Sequence, residues 1–260
     1  MKITFLGTGT SQGVPVIGCS CQVCKSEDKK DRRLRCSILI SVNEYNILID
    51  TGPDFRQQML INGITHLNAI LLTHEHNDHV IGIDDIRPFN FRQRHNMPVY
   101  GLTRVLDDVR KKFAYIFKDN PYPGAPKVEF HRIEAGQKFL LFDSIMVKAL
   151  DILHGNLPIL GYRIGDFAYI TDASFISGKT MEDLANLDVL VLNALQFRKH
   201  YSHFTFEEAI DMAQKIGAKT TYFTHMSHEM GKHEDILSKC PDGIEPAFDG
   251  LEIFVPIQIM

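Results

Sequence analysis

The chain lacks a long hydrophobic run, a basic excess, an internal repeat and any low-complexity tract. No stretch approaches the about 20 apolar residues that a bilayer-spanning helix needs. The opening Met-Lys-Ile-Thr-Phe-Leu-Gly is too short an apolar run for a secretory leader, so a cytoplasmic, reducing location is the expectation, with no membrane partner. Lys and Arg total 28 against 32 Asp and Glu, a formal net charge of −4. That balance disfavours a general nucleic-acid binder, which usually presents a basic face. The one local candidate is Lys25, Lys29, Lys30, Arg32, Arg33 and Arg35, interleaved with acids. It reads as a solvated loop before it reads as a steering patch. Cysteine is sparse: five residues, an odd number, three of them within 19–24. This argues against a disulfide framework and for metal binding. The rest, 44% apolar and 23% charged over 260 residues, is ordinary for a globular enzyme. Length alone allows one large domain or two small ones.

The densest chemistry lies in Thr-His-Glu-His-Asn-Asp-His at 73–79, which places His74, His76, Asp78 and His79 together. Imidazoles and a carboxylate are the donors a borderline divalent ion prefers. The motif follows Ala-Ile-Leu-Leu at 69–72, which reads as a buried strand. Ligands released at a strand end lie at a sheet edge, where a cleft can form.

The remaining pattern alternates strands and helices. Lys2–Leu6 reads as a strand ending at Gly7-Thr8-Gly9, and Ser37–Val42 with Tyr45–Asp50 reads as a hairpin about Asn43-Glu44. Pro53 suits the first turn of a helix reaching about Asn62. Further helices are expected over Ile81–Phe89, Arg104–Phe117 and Thr180–Ala185, and strands at Pro98–Gly101, 127–132, 145–150, 160–165, 167–171, Asp188–Leu192 and Thr220–Thr224. The turn-rich connector Asn120-Pro-Tyr-Pro-Gly-Ala-Pro marks the expected boundary between two halves. Thr205 offers a capping box with Glu208 for a helix ending near Gly217. Residues 11–35 carry no periodicity. A loop that long needs a reason, and its cysteines supply one. This pattern alone gives a mixed α/β class.

His-x-His-x-Asp-His at 74–79 resembles the signature of the metallo-β-lactamase superfamily. His154 in Ile-Leu-His-Gly, Asp172 in Tyr-Ile-Thr-Asp-Ala, His225 in Tyr-Phe-Thr-His-Met-Ser-His and Asp50 in Ile-Leu-Ile-Asp-Thr-Gly follow the same pattern, from residue 5 to residue 249. Within the superfamily the chain is most similar to the PhnP-like phosphodiesterases, on Thr-Gly-Thr-Ser-Gln-Gly-Val-Pro at 8–15, Gly-Cys-Ser-Cys-Gln-Val-Cys at 18–24 and Thr-His-Met-Ser-His at 224–228. The resemblance implies a four-layer αββα sandwich, a single domain over 1–260 with a structural zinc loop at about 11–35. It implies that His74, His76 and His154 hold one divalent ion, that Asp78, His79 and His225 hold a second, and that Asp172 bridges them. Zinc, manganese and iron all suit these donors. Ions about 3.5–4 Å apart can share one hydroxide as nucleophile near pH 7. The implied reaction is hydrolysis of a small cyclic phosphodiester.

Cys19, Cys21 and Cys24 supply three thiolates, and a tetrahedral structural zinc wants a fourth donor. By resemblance that donor is His228. A redox pair at Cys21 and Cys24 is the rival reading, while Cys36 and Cys240 read as buried free thiols. Resemblance also makes His203, ahead of the capped helix, the substrate-side group, with His200 competing for the role. Asp78 is a second candidate for assisting the leaving group. Asp50 orients a ligand histidine, caps the helix beginning near Pro53, or does both. Ribonuclease Z uses the same ligands, but its Gly- and Lys-rich arm has no counterpart here. Thioester or lactone hydrolysis needs the same hydroxide, and a metal-binding scaffold without turnover is the non-enzymatic alternative. A homodimer is an expectation of the resemblance alone.

Overall fold

The computed structural model describes residues 1–257. The strands are β1 (Lys2–Gly7), β2 (Ser37–Val42), β3 (Tyr45–Ile49), β4 (Ala69–Leu71), β5 (Met97–Gly101), β6 (Val128–Arg132), β7 (Lys138–Leu141), β8 (Ile145–His154), β9 (Leu157–Ile164), β10 (Phe167–Ile170), β11 (Phe175–Ile176), β12 (Val189–Asn193), β13 (Thr220–Thr224), β14 (Ile244–Pro246) and β15 (Glu252–Phe254). The helices are α1 (Phe55–Ile61), α2 (Asn77–Val80), α3 (Arg87–Gln93), α4 (Thr103–Lys112), α5 (Gly178–Asp183), α6 (Phe206–Ile216) and α7 (His233–Leu237).

The first sheet runs β15-β1-β2-β3-β4-β5-β6; the second runs β11-β8-β9-β10-β12-β13-β14, with β7 paired to β8. Strands with both faces buried read as continuous apolar runs rather than alternating ones. The period of two then sorts side chains between two different cores. Ile38, Ile40, Phe167, Tyr169, Val189 and Val191 point between the sheets. Their neighbours Ala168, Ile170, Leu190 and Leu192 point outward to Phe206, Ala209 and Ala213 of α6. Leu39, Leu48 and Ile70 of the first sheet likewise meet Phe55, Val105 and Leu106 of α1 and α4. Helix, sheet, sheet and helix therefore stack as the αββα sandwich.

The connector at 120–126 does not divide the halves: β6 still pairs in parallel with β5 in the first sheet. The chain crosses to the second sheet only between β6 and β7. The expected helix over Ile81–Phe89 resolves into α2, a 3-10 segment Ile81–Ile86, and α3. Close backbone approach explains the tight winding: a Cβ on Gly82 would lie 2.2 Å from Gly52 O. The helix expected at Arg104–Phe117 stops at Lys112, and a 3-10 turn continues over Ala114–Phe117. The short strands β7, β11, β14 and β15 carry too few residues for a periodic signal. The capping box of Thr205 and Glu208 forms, and Gly217 closes α6 at φ 71°. Among the described residues no helix is long and apolar enough to cross a membrane.

Parallel pairing aligns strand ends. β3, β4 and β5 run parallel in one sheet, and β10, β12 and β13 in the other. Loops leaving the carboxyl ends of such strands form ligand clefts. Asp50 follows β3, the 73–79 motif follows β4, Asp172 follows β10 and His225 follows β13; His154 ends β8.

Candidate metal centre

The structure brings all seven residues of the expected dinuclear set together. Ligand atoms of His74, His76 and His154 lie within 4.8 Å of one another, as do those of Asp78, His79 and His225. Asp172 groups with His74 and His79 on one side and with His154 and His203 on another. One Asp172 oxygen, Oδ2, is 3.1 Å from His225 Nε2 and 3.2 Å from His203 Nε2, while Oδ1 is 3.4 Å from His79 Nε2.

Proton accounting fixes three of the imidazoles. Asp50, fully buried, accepts from Thr73 N at 2.8 Å, from Thr73 Oγ1 at 2.8 Å and from His79 Nδ1 at 2.7 Å. A carboxylate only accepts, so His79 carries its proton on Nδ1 and turns Nε2 inward. Thr73 has spent its one proton on Asp50, so His74 Nδ1, 3.0 Å away, must donate to it. His154 Nδ1 faces two carbonyls, Asp172 O and Ser202 O, each at 2.8 Å, and donates there. Each of the three rings is thus held by its outer nitrogen with the inner one turned into the cluster, the arrangement that orients metal-binding histidines. Of the two roles open to Asp50, the geometry gives the orienting one. The helix cap is absent, because both its oxygens are committed and Asp54 stands at the N-cap of α1.

Electrostatics agree. Burial, then the neighbouring His79, drives His74 well below its ordinary value, and burial takes His225 down to about 4. Burial opposes charge on Asp172, but His225 and His79 outweigh it and hold the carboxyl well below the usual range. His79 is the exception: burial opposes its charge, but Asp172, Asp50 and Asp78 together push it well above 6.5, so its Nε2 holds a proton that a bound ion would have to displace. Asp78 stays ionised for the same reason: against burial, His79 holds it low.

The donor set fits divalent ions on two observations. His79 Nε2 and His225 Nε2 are buried without a hydrogen-bond partner, although carboxylate oxygens lie at ion-pair distance, because those approaches are poorly aligned. Such orphans are costly unless something else satisfies them. The inner nitrogen of His74 also faces His76 Nδ1 at 3.0 Å, and a shared cation would relieve that approach.

The second cluster is Cys19, Cys21, Cys24 and His228. His228 Nδ1 lies 3.3, 3.4 and 3.6 Å from the three sulfurs in that order. The Cys24 amide donates to Cys21 Sγ at 3.4 Å and lowers that thiol to about 6; burial raises Cys24 to about 11. His228 thus lies within reach of all three sulfurs.

His203 lies at the cleft against Asp172, whereas His200 stands behind it, Nδ1 to Nδ1 at 3.1 Å. The basic run at 25–35 is not one patch. Arg33 is buried, bonded to Thr8 Oγ1 and Ala247 O, and Arg35 pairs with Asp54 at 3.1 Å; the others are exposed. Sequence reasoning missed Thr73, Thr171 and Ser202, whose only signal is a hydroxyl beside a ligand-type residue.

The sequence profile of the beta-lactamase superfamily domain matches residues 45–226. A solved diphosphatase from the PhnP family is 40% identical, covering 100% of this chain and 99% of its own, with a TM-score of 0.93. The chain belongs to the PhnP family of the beta-lactamase superfamily. Its family fold implies divalent metal ions and makes it a hydrolase of the metallo-β-lactamase fold. Zinc-bound PqqB from Methylobacterium extorquens shares the fold at 20% identity and a TM-score of 0.81, over 98% of this chain and all of its own. An octanoyltransferase of Porphyromonas gingivalis is 44% identical over 98% of this chain, but the chain spans only 52% of that relative's length.

Proposed function

We propose that this PhnP-family chain is a dinuclear metal-dependent phosphodiesterase acting on a small, cyclic phosphodiester. The observation that carries the reading is the convergence of His74, His76, Asp78, His79, His154, Asp172 and His225, with His79 Nε2 and His225 Nε2 buried and unpartnered. His74, His76 and His154 would hold one ion, Asp78, His79 and His225 the other, with Asp172 between them; zinc and manganese both suit the donors. Two divalent ions bound there supply an acidified water at neutral pH and neutralise charge on phosphoryl oxygens.

The chain's own groups do the rest. Asp50 and Thr73 keep His79 and His74 aimed. Asp172 sets the spacing of the two halves of the site. Ser202 Oγ lies 3.1 Å from His203 Nδ1, and when it donates there the His203 proton rests on Nε2, facing the cleft. From that position His203 hands a proton to the departing sugar oxygen. The thiolate cluster has no open position, so it serves structure: a zinc there would tie the 11–35 loop beside the cleft.

The decisive experiment is steady-state turnover of the metal-loaded protein on a small cyclic ribose phosphate, with Asp172→Ala as control. Turnover that disappears in the control supports the reading. No turnover in a protein that holds both ions defeats it. A second reading, hydrolysis of an octanoyl thioester, is favoured by the 44% identical octanoyltransferase. That relative is about twice as long, so its named activity can reside in the half this chain does not match. Cleavage of an octanoyl thioester with no action on phosphodiesters would establish the second reading.

A further inference from the structure

Three residues at the cleft that are not glycine hold positive φ: Asp50 at 65°, Asp172 at 57° and His225 at 55°. Residues with a Cβ adopt this left-handed conformation only where the surroundings enforce it. All three lie just past the ends of strands, two in the second sheet and one in the first. Their common neighbour is the dipeptide Cys36-Ser37, at the head of β2.

Ser37 Oγ lies 2.9 Å from Asp50 O and 3.0 Å from Ile49 O, donating to these carbonyls at the first strained position. Cys36 Sγ is 3.1 Å from Thr224 Oγ1, in the residue immediately before His225, and 3.1 Å from Tyr169 OH. It also lies 3.6 Å from Thr171 Oγ1, in the residue immediately before Asp172. Thr171 in turn donates to Asp172 Oδ1 at 2.6 Å. Thr171 has one proton and the carboxylate can only accept, so that proton is committed to Asp172. The sulfur then bears on Thr171 as a packing contact that keeps its hydroxyl aimed. Cys36, Ser37, Tyr169, Thr171 and Thr224 are all 0–1% exposed, so no solvent competes for these bonds.

We propose that Cys36-Ser37 is a positioning pair that fixes Asp50, Asp172 and His225 relative to one another across the interface between the sheets. A cysteine suits the place: its polarisable sulfur spans two hydroxyls at about 3.1 Å with little desolvation cost. The inference rests on the metal reading above, and its test separates the two. Mn²⁺ binding is measured by calorimetry on the wild type, Cys36→Ala, Cys36→Ser, Ser37→Ala and Thr171→Val, at a temperature where near-ultraviolet dichroism shows each to be folded. Cys36→Ala is expected to weaken Mn²⁺ binding about 10–100-fold, the usual effect of losing a group that orients metal ligands. Cys36→Ser is expected to recover most of that loss, because a hydroxyl can still bond Tyr169 and Thr224.

If Cys36 merely fills space, serine does no better than alanine, and that result overturns the inference. So does a folded Cys36→Ala with wild-type affinity. Should Cys36→Ala fail to fold, Ser37→Ala and Thr171→Val carry the test, and wild-type affinity in both overturns it. A wild type that takes up no Mn²⁺ brings down the metal reading itself and the inference with it.

Discussion

His225 and His228 stand three residues apart, yet they serve clusters built on opposite plans. His225 belongs to a set that is mostly buried, carries carboxylates and hangs from strand ends in both sheets. Three of its rings, those of His74, His79 and His154, are held from outside by Asp50, Thr73 and backbone carbonyls. His228 belongs to a half-exposed set of thiols on an irregular loop, supported by the amides of Cys24 and Val16. The first spends strained backbone and orphaned nitrogens, costs a protein tolerates where geometry must be ready for chemistry. The second shows no positive φ at its four donors and uses all of them on itself. On the function proposed above, the positioned donors of the first would serve chemistry and the closed thiolate set of the second would tie the loop.

The sharpest way to break this contrast is to remove the group that belongs to both halves of the cleft. Asp172→Ala leaves His225, His79 and His203 without their common carboxylate. The variant is expected to lose phosphodiester turnover by at least about 10³-fold and to hold fewer divalent ions, since the loss of an electrostatic anchor in a dry site costs on that scale. Metal analysis by atomic emission alongside initial rates checks it. Full turnover would mean that the two ion sites work without a bridge.

His203→Asn tests the next level, the residue proposed to act on the leaving group rather than to hold an ion. A general acid typically contributes about 10²–10⁴-fold, so kcat should fall within that range while ion content stays at the wild-type value. The loss should shrink for substrates with a better leaving group. If His200→Asn shows this pattern and His203→Asn does not, the two histidines exchange roles.

Much of this was legible in the chain, for an unequal physical reason. Strands buried on both faces announce themselves as apolar runs, and the capped helix at Thr205 announces both of its ends. The 73–79 motif is local, so its chemistry can be read from spacing. His154, Asp172 and His225 are each unremarkable alone, and only the family pattern singled them out. The positioning groups were not legible. Thr73, Thr171, Ser202 and Ser37 are common hydroxyls whose partners lie in other strands, and Cys36 looked like any buried thiol. The halves were misdivided because a Pro- and Gly-rich turn signals a bend, whereas strand pairing, which decides the sheet, is not local.

On the other side of the contrast, Cys21→Ser should leave chemistry nearly intact and loosen the loop. One equivalent of zinc should be lost, and tryptic cleavage should begin at the exposed Lys25, Lys29 and Lys30. The melting midpoint should fall by roughly 5 °C, as expected for a lost structural metal in a chain that keeps its main core. The fall in kcat should stay under about tenfold, because Cys19, Cys21 and Cys24 bear on His228 and on no cleft residue. A collapse of turnover with both cleft ions still bound would show that the loop forms part of the substrate pocket.

The smallest effect on turnover is expected at the other anchor of the same loop. Asp249 accepts from Thr8 Oγ1 at 2.8 Å and from Leu34 N at 2.6 Å. Burial nonetheless raises its carboxyl from 3.8 to about 6, against the pull of those donors and Arg33. An acid raised in the fold favours the protonated folded state. Its stabilising contribution is therefore complete below about pH 4 and is lost as pH rises through 6. The loss is on the order of 2–3 kcal/mol. Asp249→Asn holds the neutral form at every pH: its carbonyl can still accept from Leu34 N, and its amide can donate to Thr8. Urea denaturation across pH 4–7 should show this variant with a flatter stability profile than the wild type, the difference concentrated between pH 4 and 6, and with unchanged kcat. Parallel profiles would mean that Asp249 is ionised in the fold throughout, with Arg33 outweighing its burial. The base of the loop would then be held by an ion pair rather than by a neutral carboxyl.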